Sequence, residues 1–379
     1  MKILMILSNS VKYDPRVYNE AQSLISAGHQ VHMICWTRNS RGDRSPQKET
    51  FDSMTIHYID DSTFMTLLKN PALKNPFWWQ KACQKAAKLH NGEFTFDAVH
   101  CHDLDTLPAG VWLKKKLKVK LVYDAHEIFG YMIEQDTARA ITTAAFALEK
   151  YCVKYTDHLI TVNEAVKNYL ASISSTPCAI VMNCKNISDR TYHPPAANIF
   201  TISYIGILHK NRMFPELIDI IGKLDRVKFI MAGFGKKTLI DAIQKKSAGY
   251  DNVEFIGRVS SQEVLSKTLG SNAIICLLNP KNRNNQAGLP NKVFEAMVTG
   301  RPIIATKGLY YSGIIERNDL GITTNYDPSN ITDAVVKLRD DPRLCERLGR
   351  NGLKAALEKY NWENEEKKLL EVYRNLASV

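Results

Sequence analysis

The sequence predicts an α/β protein made of two doubly wound, Rossmann-like domains, and three observations predict it. Short, continuously apolar runs alternate with helical patterns along the whole chain, the pattern of parallel sheets covered on both faces. A polar, proline-containing passage, "NCKNISDRTYHPPAANIF" (183–200), interrupts that rhythm once, after which it restarts. The length of 379 residues accommodates two ordinary domains, each with its own core. The expected boundaries are 1–190 and 198–360, followed by one amphipathic helix over 361–379, "YNWENEEKKLLEVYRNL".

In the first domain the strand candidates are "KILMILS", "HQVHMICW", "MTIHYI", "DAVHCH", "KLVYDAH" and "HLITVN". Helical stretches at 16–27, 105–116 and 136–155 lie between them. In the second domain the strands are "TISYIG", "VKFIMAG", "NVEFIG", "AIICLLN" and "RPIIAT". A short helix in "GLPNKVFEAMVTGRPIIA" (288–305) has Pro290 at its first position, where no backbone donor is lost. Gly300 and Pro302 end that helix.

Composition narrows the function classes. With 45% apolar and 23% charged residues the chain is globular rather than disordered. A formal net charge of +11 favours anionic partners: phosphorylated small molecules, an acidic membrane or nucleic acid. No recognised nucleic-acid motif accompanies the charge, so nucleic acid is not expected. The eight scattered cysteines, several inside apolar runs, read as reduced, buried thiols of a cytoplasmic protein. The opening apolar stretch is too short for a signal peptide, and no window approaches a membrane span. The expected location is cytoplasmic, with attachment to the cytoplasmic face of an acidic membrane open through "KKKLKVK" (114–120) and "LLKNPALKNPFWWQKACQKAAKLH" (67–90). The competing readings are a solvated helix end and a helix whose aromatic side packs inward.

Ligands of doubly wound sheets bind past the carboxyl ends of the strands. In "AGFGKKT", Gly233 and Gly235 match half of a dinucleotide fingerprint, but Thr238 occupies the third glycine position. These glycines are expected to permit a tight strand-to-helix turn near a ligand. His100 and His102 should project to one side of a strand with Cys101 opposite, and no metal site is expected because no further group has zinc-like spacing. "DLD" at 103–105 resembles a divalent-ion motif, yet Asp105 before an apolar run reads as a helix N-cap. The backbone at Gly288–Leu289 and the following helix N-terminus form an anion site, and Lys292 adds charge suited to phosphate. Glu295 suits vicinal hydroxyls such as ribose. Together they predict a nucleotide-diphosphate site.

At this point the chain resembles glycosyltransferase family 4, over essentially its whole length. The resemblance is carried by "YDPRVYNEAQSLISAGHQVHMI", "FDAVHCHDLDTLPAG", "LVYDAHEIF", "YIGILHKNRMFPELI", "NVEFIGRVSSQEVL" and "LPNKVFEAMVTGRPIIA". It implies the two-domain GT-B fold, with the last helix crossing back to the first domain. It also implies sugar transfer from a UDP- or GDP-linked donor, with retention and without a metal or other cofactor. The acceptor would be a glycan, a lipid-linked molecule or a small molecule. By resemblance, Arg212, Gly288, Leu289, Asn291, Lys292 and Glu295 bind the donor, and His126 of "YDAHE" faces the transferring sugar as the catalytic histidine. His102, Asp103 and Arg16 fall on the acceptor side. Two departures stand out. The family's Glu-x7-Glu motif would begin at position 287, which is Ala287, with Asn284, Asn285 or Gln286 as substitutes. "KYDPRVYNE" replaces the glycine-rich first loop, so Arg16 either reaches phosphates or pairs with Glu20. The rival readings are a non-catalytic partner subunit and an epimerase or phosphorylase on the same fold.

Overall fold

The computed structural model describes residues 1–38, 46–68, 71–195, 199–260 and 262–378. The chain divides into two compact units, Met1–Met182 with the segment from Glu365, and Asn183–Asn364.

The first unit is an eight-stranded sheet. Its strands are β1 (Lys2–Leu7), β2 (Gln30–Trp36), β3 (Lys48–Phe51), β4 (Met54–Ile59), β5 (Ala98–His102), β6 (Lys120–Ala125), β7 (His158–Thr161) and β8 (Cys178–Ile180). They lie in the order β3-β4-β2-β1-β5-β6-β7-β8. The chain winds outward from β1 to β4, returns to β5 on the other side of β1, and winds outward again. All neighbours are parallel except the β3–β4 hairpin. Helices cover a sheet of this kind on both faces, so its strands must be apolar on both sides. β1 is buried from Ile3 to Leu7 for that reason. Four histidine and aspartate residues break the rule: His57 of β4, His100 and His102 of β5 and Asp124 of β6 are fully buried. His102 and Asp124 are register partners. Buried polar groups in an apolar sheet need partners, which marks where this unit does something other than pack.

The second unit is a six-stranded parallel sheet, β11-β10-β9-β12-β13-β14. Its strands are β9 (Phe200–Ile207), β10 (Val227–Phe234), β11 (Val253–Phe255), β12 (Ala273–Cys276), β13 (Ile303–Thr306) and β14 (Gly321–Thr324). The winding again reverses, here between β9 and β12. Phe214, Phe229, Ile275 and Ile304 belong to its buried core.

Several expectations shift. The first boundary, placed at 190, falls at Met182. The passage after it joins the second unit, where the Lys185 carbonyl accepts the Trp362 N–H at 3.1 Å and Asn183 donates to Asn291 at 2.8 Å. Residues 196–198 of the expected linker lie outside the described residues. The final helix, Trp362–Ala377, contributes to the first unit from Glu365 onward, and Glu365 accepts the Met182 N–H at 2.9 Å. Asp105 is not the N-cap of the helix Leu107–Leu117; Thr106 stands there, and Asp105 pairs with Arg38 at 2.7 Å. Pro290 is the N-cap of the helix Asn291–Thr299 rather than its first residue. β3, β8 and β14 were not expected. β3 is tied to β4 by Asp52 and Ser53, both at positive φ, a two-residue turn made without glycine. The cysteines are thiols, buried in all but Cys178. Among the described residues no helix is long and apolar enough to cross a membrane.

Candidate active site

In the first unit the polar residues converge at the carboxyl ends of β5 and β6. The helix Pro15–Ser26, capped by the Asp14 side chain with proline at its first position, turns Arg16 and Glu20 inward. Arg16 is 2% exposed. Its guanidinium grips Asp124 with two nitrogens, at 2.8 and 2.7 Å, and donates a third bond to the Val181 carbonyl at 2.6 Å. It also lies 3.1 Å from Glu20. Asp124 in turn accepts from His126 Nε2 at 2.9 Å. On the other edge of the ring, His126 Nδ1 lies 3.2 Å from Asp103. Asp103 sits at φ 60°, a left-handed turn, and also accepts the His126 backbone N–H at 3.1 Å.

This arrangement fixes the charge of His126. Burial pushes the imidazole down, but Asp103 and Asp124 outweigh it and raise its pKa to about 10. Burial likewise pushes Asp124 up, and Arg16 then His126 reverse that, holding it well below the usual carboxylate range. His126 is therefore a held cation near neutral pH, not a proton acceptor. Behind it His100 and His102 stack at 4.3 Å, as their strand spacing predicted. Burial lowers both pKa values, so they are neutral. His100 Nδ1 meets the Tyr373 hydroxyl of the final helix at 2.8 Å. Burial and Asp124 raise Glu20 to about 8. Glu20, His100, His102 and Asp124 gather tightly enough to suggest a metal cage. Within the group the guanidinium of Arg16 bonds Asp124 with two nitrogens and lies beside one oxygen of Glu20.

Two acceptor-side assignments change accordingly. Arg16 is enclosed and pairs with Asp124 and Glu20, so it does not face a ligand. His102 is fully buried and stands behind His126. Asp103 keeps some exposure, with 29% of its side chain accessible.

In the second unit β9 and β10 end in an unusually close approach. Gly206 and Gly233 are register partners, at φ 147° and 148°. A Cβ on Gly233 would fall 1.7 Å from the Gly206 carbonyl oxygen. The glycines of "AGFGKKT" thus serve the turn. Gly233→Ala is expected to cost about 1–3 kcal/mol, read as a lower denaturant midpoint; an unchanged midpoint would show that the strand ends separate freely. Gly206 also makes room for Lys292, whose Nζ would lie 2.6 Å from a Cβ there. The Lys292 ammonium donates to the Ile205 carbonyl and sits 4.3 Å above the Tyr204 ring. Arg212, in the tight turn Lys210–Arg212, donates to the Tyr204 hydroxyl at 3.2 Å. Two cations therefore share one tyrosine. Lys292 belongs to the first turn of the helix Asn291–Thr299, whose N-terminus has no side-chain cap and no acidic residue. Such a terminus attracts an anion. Gly288 and Leu289 precede it and are half-buried. Glu295, one turn on, is 8% exposed and lies 3.8 Å from Lys185. Asn291 accepts from Asn183, which occupies its side-chain oxygen.

Residues 16–184 match the family model Glycosyltransferase Family 4, and residues 199–341 match Glycosyl transferases group 1. The chain is a glycosyltransferase, and its first unit matches the family 4 model. It is 22% identical to an uncharacterized glycosyltransferase of Methanocaldococcus jannaschii, over 99% of this chain and 98% of that protein. Among solved structures it resembles sucrose-phosphate synthase from Thermosynechococcus elongatus, with a TM-score of 0.81 at 17% identity over the whole of both chains. It resembles HepE of Anabaena, in complex with UDP and glucose, with a TM-score of 0.75 at 13% identity, again over the whole of both. The fold is GT-B, two Rossmann-like units, and the activity is that of a glycosyltransferase.

In this glycosyltransferase Ala287 stands where the resemblance expected glutamate. Ala287 ends a short helix, Arg283–Ala287, just before Gly288. Two of the proposed substitutes are tied into their own loop: Asn285 donates to the Asn279 carbonyl and Gln286 to that of Pro280, each at 3.0 Å. Tyr204 and Tyr373 were not singled out from the sequence, and Asp124 was marked there only as a strand-end residue that His126 could orient. Asp124 carried a signal, a lone carboxylate inside "KLVYDA". Tyr373 carried none, because its partner lies 273 residues away.

Proposed function

We propose that this glycosyltransferase moves a sugar from a UDP- or GDP-linked donor to a glycan, lipid-linked or small-molecule acceptor, with retention and without a bound metal. The observation that carries the donor assignment is the pairing of Lys292 and Arg212 on Tyr204 beside the uncapped helix N-terminus. Lys292, Arg212 and the backbone at Gly288–Leu289 receive the diphosphate and stabilise it as it leaves. Asn291 lines the same helix start, and Glu295 accepts from the ribose hydroxyls. HepE, of the same fold, binds UDP and glucose, which supports a nucleotide-sugar donor here. In the first unit His126 is a fixed cation beside Asp103, suited to contact the reacting sugar. The metal-free reading is supported by the cations Lys292 and Arg212, which can stabilise the leaving diphosphate, and by the acidic pair of "DLD". Asp103 is committed to His126 and Asp105 to Arg38, so neither is arranged as a divalent-ion ligand.

Ala287 favours a second reading, a partner subunit that binds nucleotide without turnover. Titration calorimetry with UDP and GDP tests the shared core of both readings. Charge-assisted contacts contribute roughly 1.5–3 kcal/mol each, so Lys292→Ala or Arg212→Ala should each weaken binding by about ten-fold or more. Unchanged affinity in both variants, or no binding of either nucleotide, would remove the site assignment.

A further inference from the structure

We propose that the face formed by the helices Leu107–Leu117 and Arg139–Cys152 of the first unit docks on a bilayer surface rich in anionic phospholipid. The proposal goes beyond the donor reading and stands or falls independently of it.

Of the two basic stretches in the sequence, "KKKLKVK" has exposed aromatic rings beside its lysines, whereas the other exposes Phe77 but holds its tryptophans inward. In "FWWQK" the tryptophans turn inward: Trp78 is fully buried, and the Trp79 ring N–H donates to the Asp105 carbonyl at 2.7 Å. "KKKLKVK" behaves otherwise. Lys114 pairs with Asp157 at 2.6 Å, but Lys115 crosses to the neighbouring helix. Its ammonium lies 3.3 Å from the Tyr151 hydroxyl and 3.7 Å from the Tyr155 ring centre. This contact joins the two helices into one face. Trp112, one turn before Lys115 and Lys116, is 44% exposed, and Tyr151 is 51% exposed. Lys116, Lys150 and Lys154 are exposed around them. Glu149, the one acidic residue within 107–120 and 139–155, is buried and bonded to Tyr123 and Tyr169. The positive charge of this face is therefore not balanced from within it.

Exposed tryptophan and tyrosine beside lysines is the chemistry of a membrane interface. The rings enter the headgroup region while the ammonium groups meet lipid phosphates. Nucleic acid would use the same lysines, but it has no comparable use for aromatic rings on the outer side of a helix pair that carries no recognised motif. Position in the fold agrees. Lys114 is held by Asp157, just before β7, and Lys120 opens β6, so the face lies toward the amino ends of these strands. His126 and Asp103 lie at the opposite, carboxyl edge, which docking leaves uncovered.

Flotation of the full chain with vesicles of phosphatidylcholine, with and without phosphatidylglycerol, tests this. The protein should float only with phosphatidylglycerol, and high salt should release it. The double variant Lys115→Glu/Lys154→Glu should weaken flotation by about ten-fold or more, and Trp112→Ala should weaken it further. Both variants should keep the wild-type melting temperature and nucleoside diphosphate affinity. No flotation with phosphatidylglycerol at low salt would overturn the proposal, as would undiminished flotation of the double variant. So would tighter binding to a DNA duplex than to vesicles that the same charge reversal abolishes.

Discussion

His126→Ala is expected to lower turnover by about 10²-fold, the scale for losing one group that stabilises a reacting centre, while nucleoside diphosphate affinity stays at the wild-type value. The two readouts separate because the residues differ in place. The diphosphate is assigned to Lys292 and Arg212 of the second unit, and His126 belongs to the first. The variant also has a structural consequence, since His126 bonds Asp124 and Asp103 with its two ring nitrogens. Its pKa rises from 6.5 to about 10 on folding. A group raised in this way stabilises the fold fully below its unfolded pKa and loses that contribution as pH climbs through its folded pKa. The pH-dependent part of the melting difference between wild type and His126→Ala should therefore be present below pH 6.5 and be lost as pH climbs through about 10. Single-turnover rates corrected for folded fraction isolate the catalytic share. Full activity in a folded His126→Ala protein would end the catalytic assignment, whatever its melting curve.

Arg16→Met should destabilise the first unit by about 3–5 kcal/mol, the cost of leaving a buried carboxylate without its charge partner. Asp124 would keep His126 but lose both guanidinium bonds, and the Val181 carbonyl would lose its donor. Arg16→Lys keeps the charge without the planar fork and should fall between the two. Denaturant titration measures the loss. Nucleotide affinity supplies the control. If Arg16 contacted phosphates, Arg16→Lys would weaken nucleoside diphosphate binding and leave stability nearly intact. That result would reverse the placement of Arg16 as a structural residue behind His126.

Much of the fold was readable because doubly wound sheets write themselves as separate apolar runs. Every strand expected from such a run is present, from "KILMILS" to "RPIIAT". The strands that escaped are short or lie at the sheet edge. β3 alternates between exposed and half-buried residues, and its turn lacks the glycine that advertises a hairpin. The residues proposed for the donor cluster for a local reason: Gly288, Lys292 and Glu295 stand within two helix turns of each other in sequence. The first-unit network was not legible, because its members come from residues 16, 20, 100, 102, 103, 124, 126 and 373, brought together only by the parallel sheet and the returning helix. Arg16 shows the difference most clearly. A residue pattern allowed either a phosphate or Glu20 as its partner, and three-dimensional packing supplied Glu20 together with Asp124, which no local pattern links to it. Asp105 is similar, since an N-cap and an ion pair to Arg38 leave the same trace in sequence.

The measurement that tests the central claim most directly is acceptor-dependent release of nucleoside diphosphate. The donor is whichever nucleotide-sugar raises the melting temperature, the acceptors are glycan and lipid fractions, and a metal chelator is present throughout. Chromatography counts the diphosphate released, and proton NMR reports the anomer of the product. The expected result is release only when an acceptor is present, undiminished by the chelator, with the donor's anomeric configuration kept and the rate lost in His126→Ala. Nucleotide-sugar binding with no acceptor-dependent release from any donor would contradict it, and would mark the chain as a binding partner in which Ala287 has ended turnover.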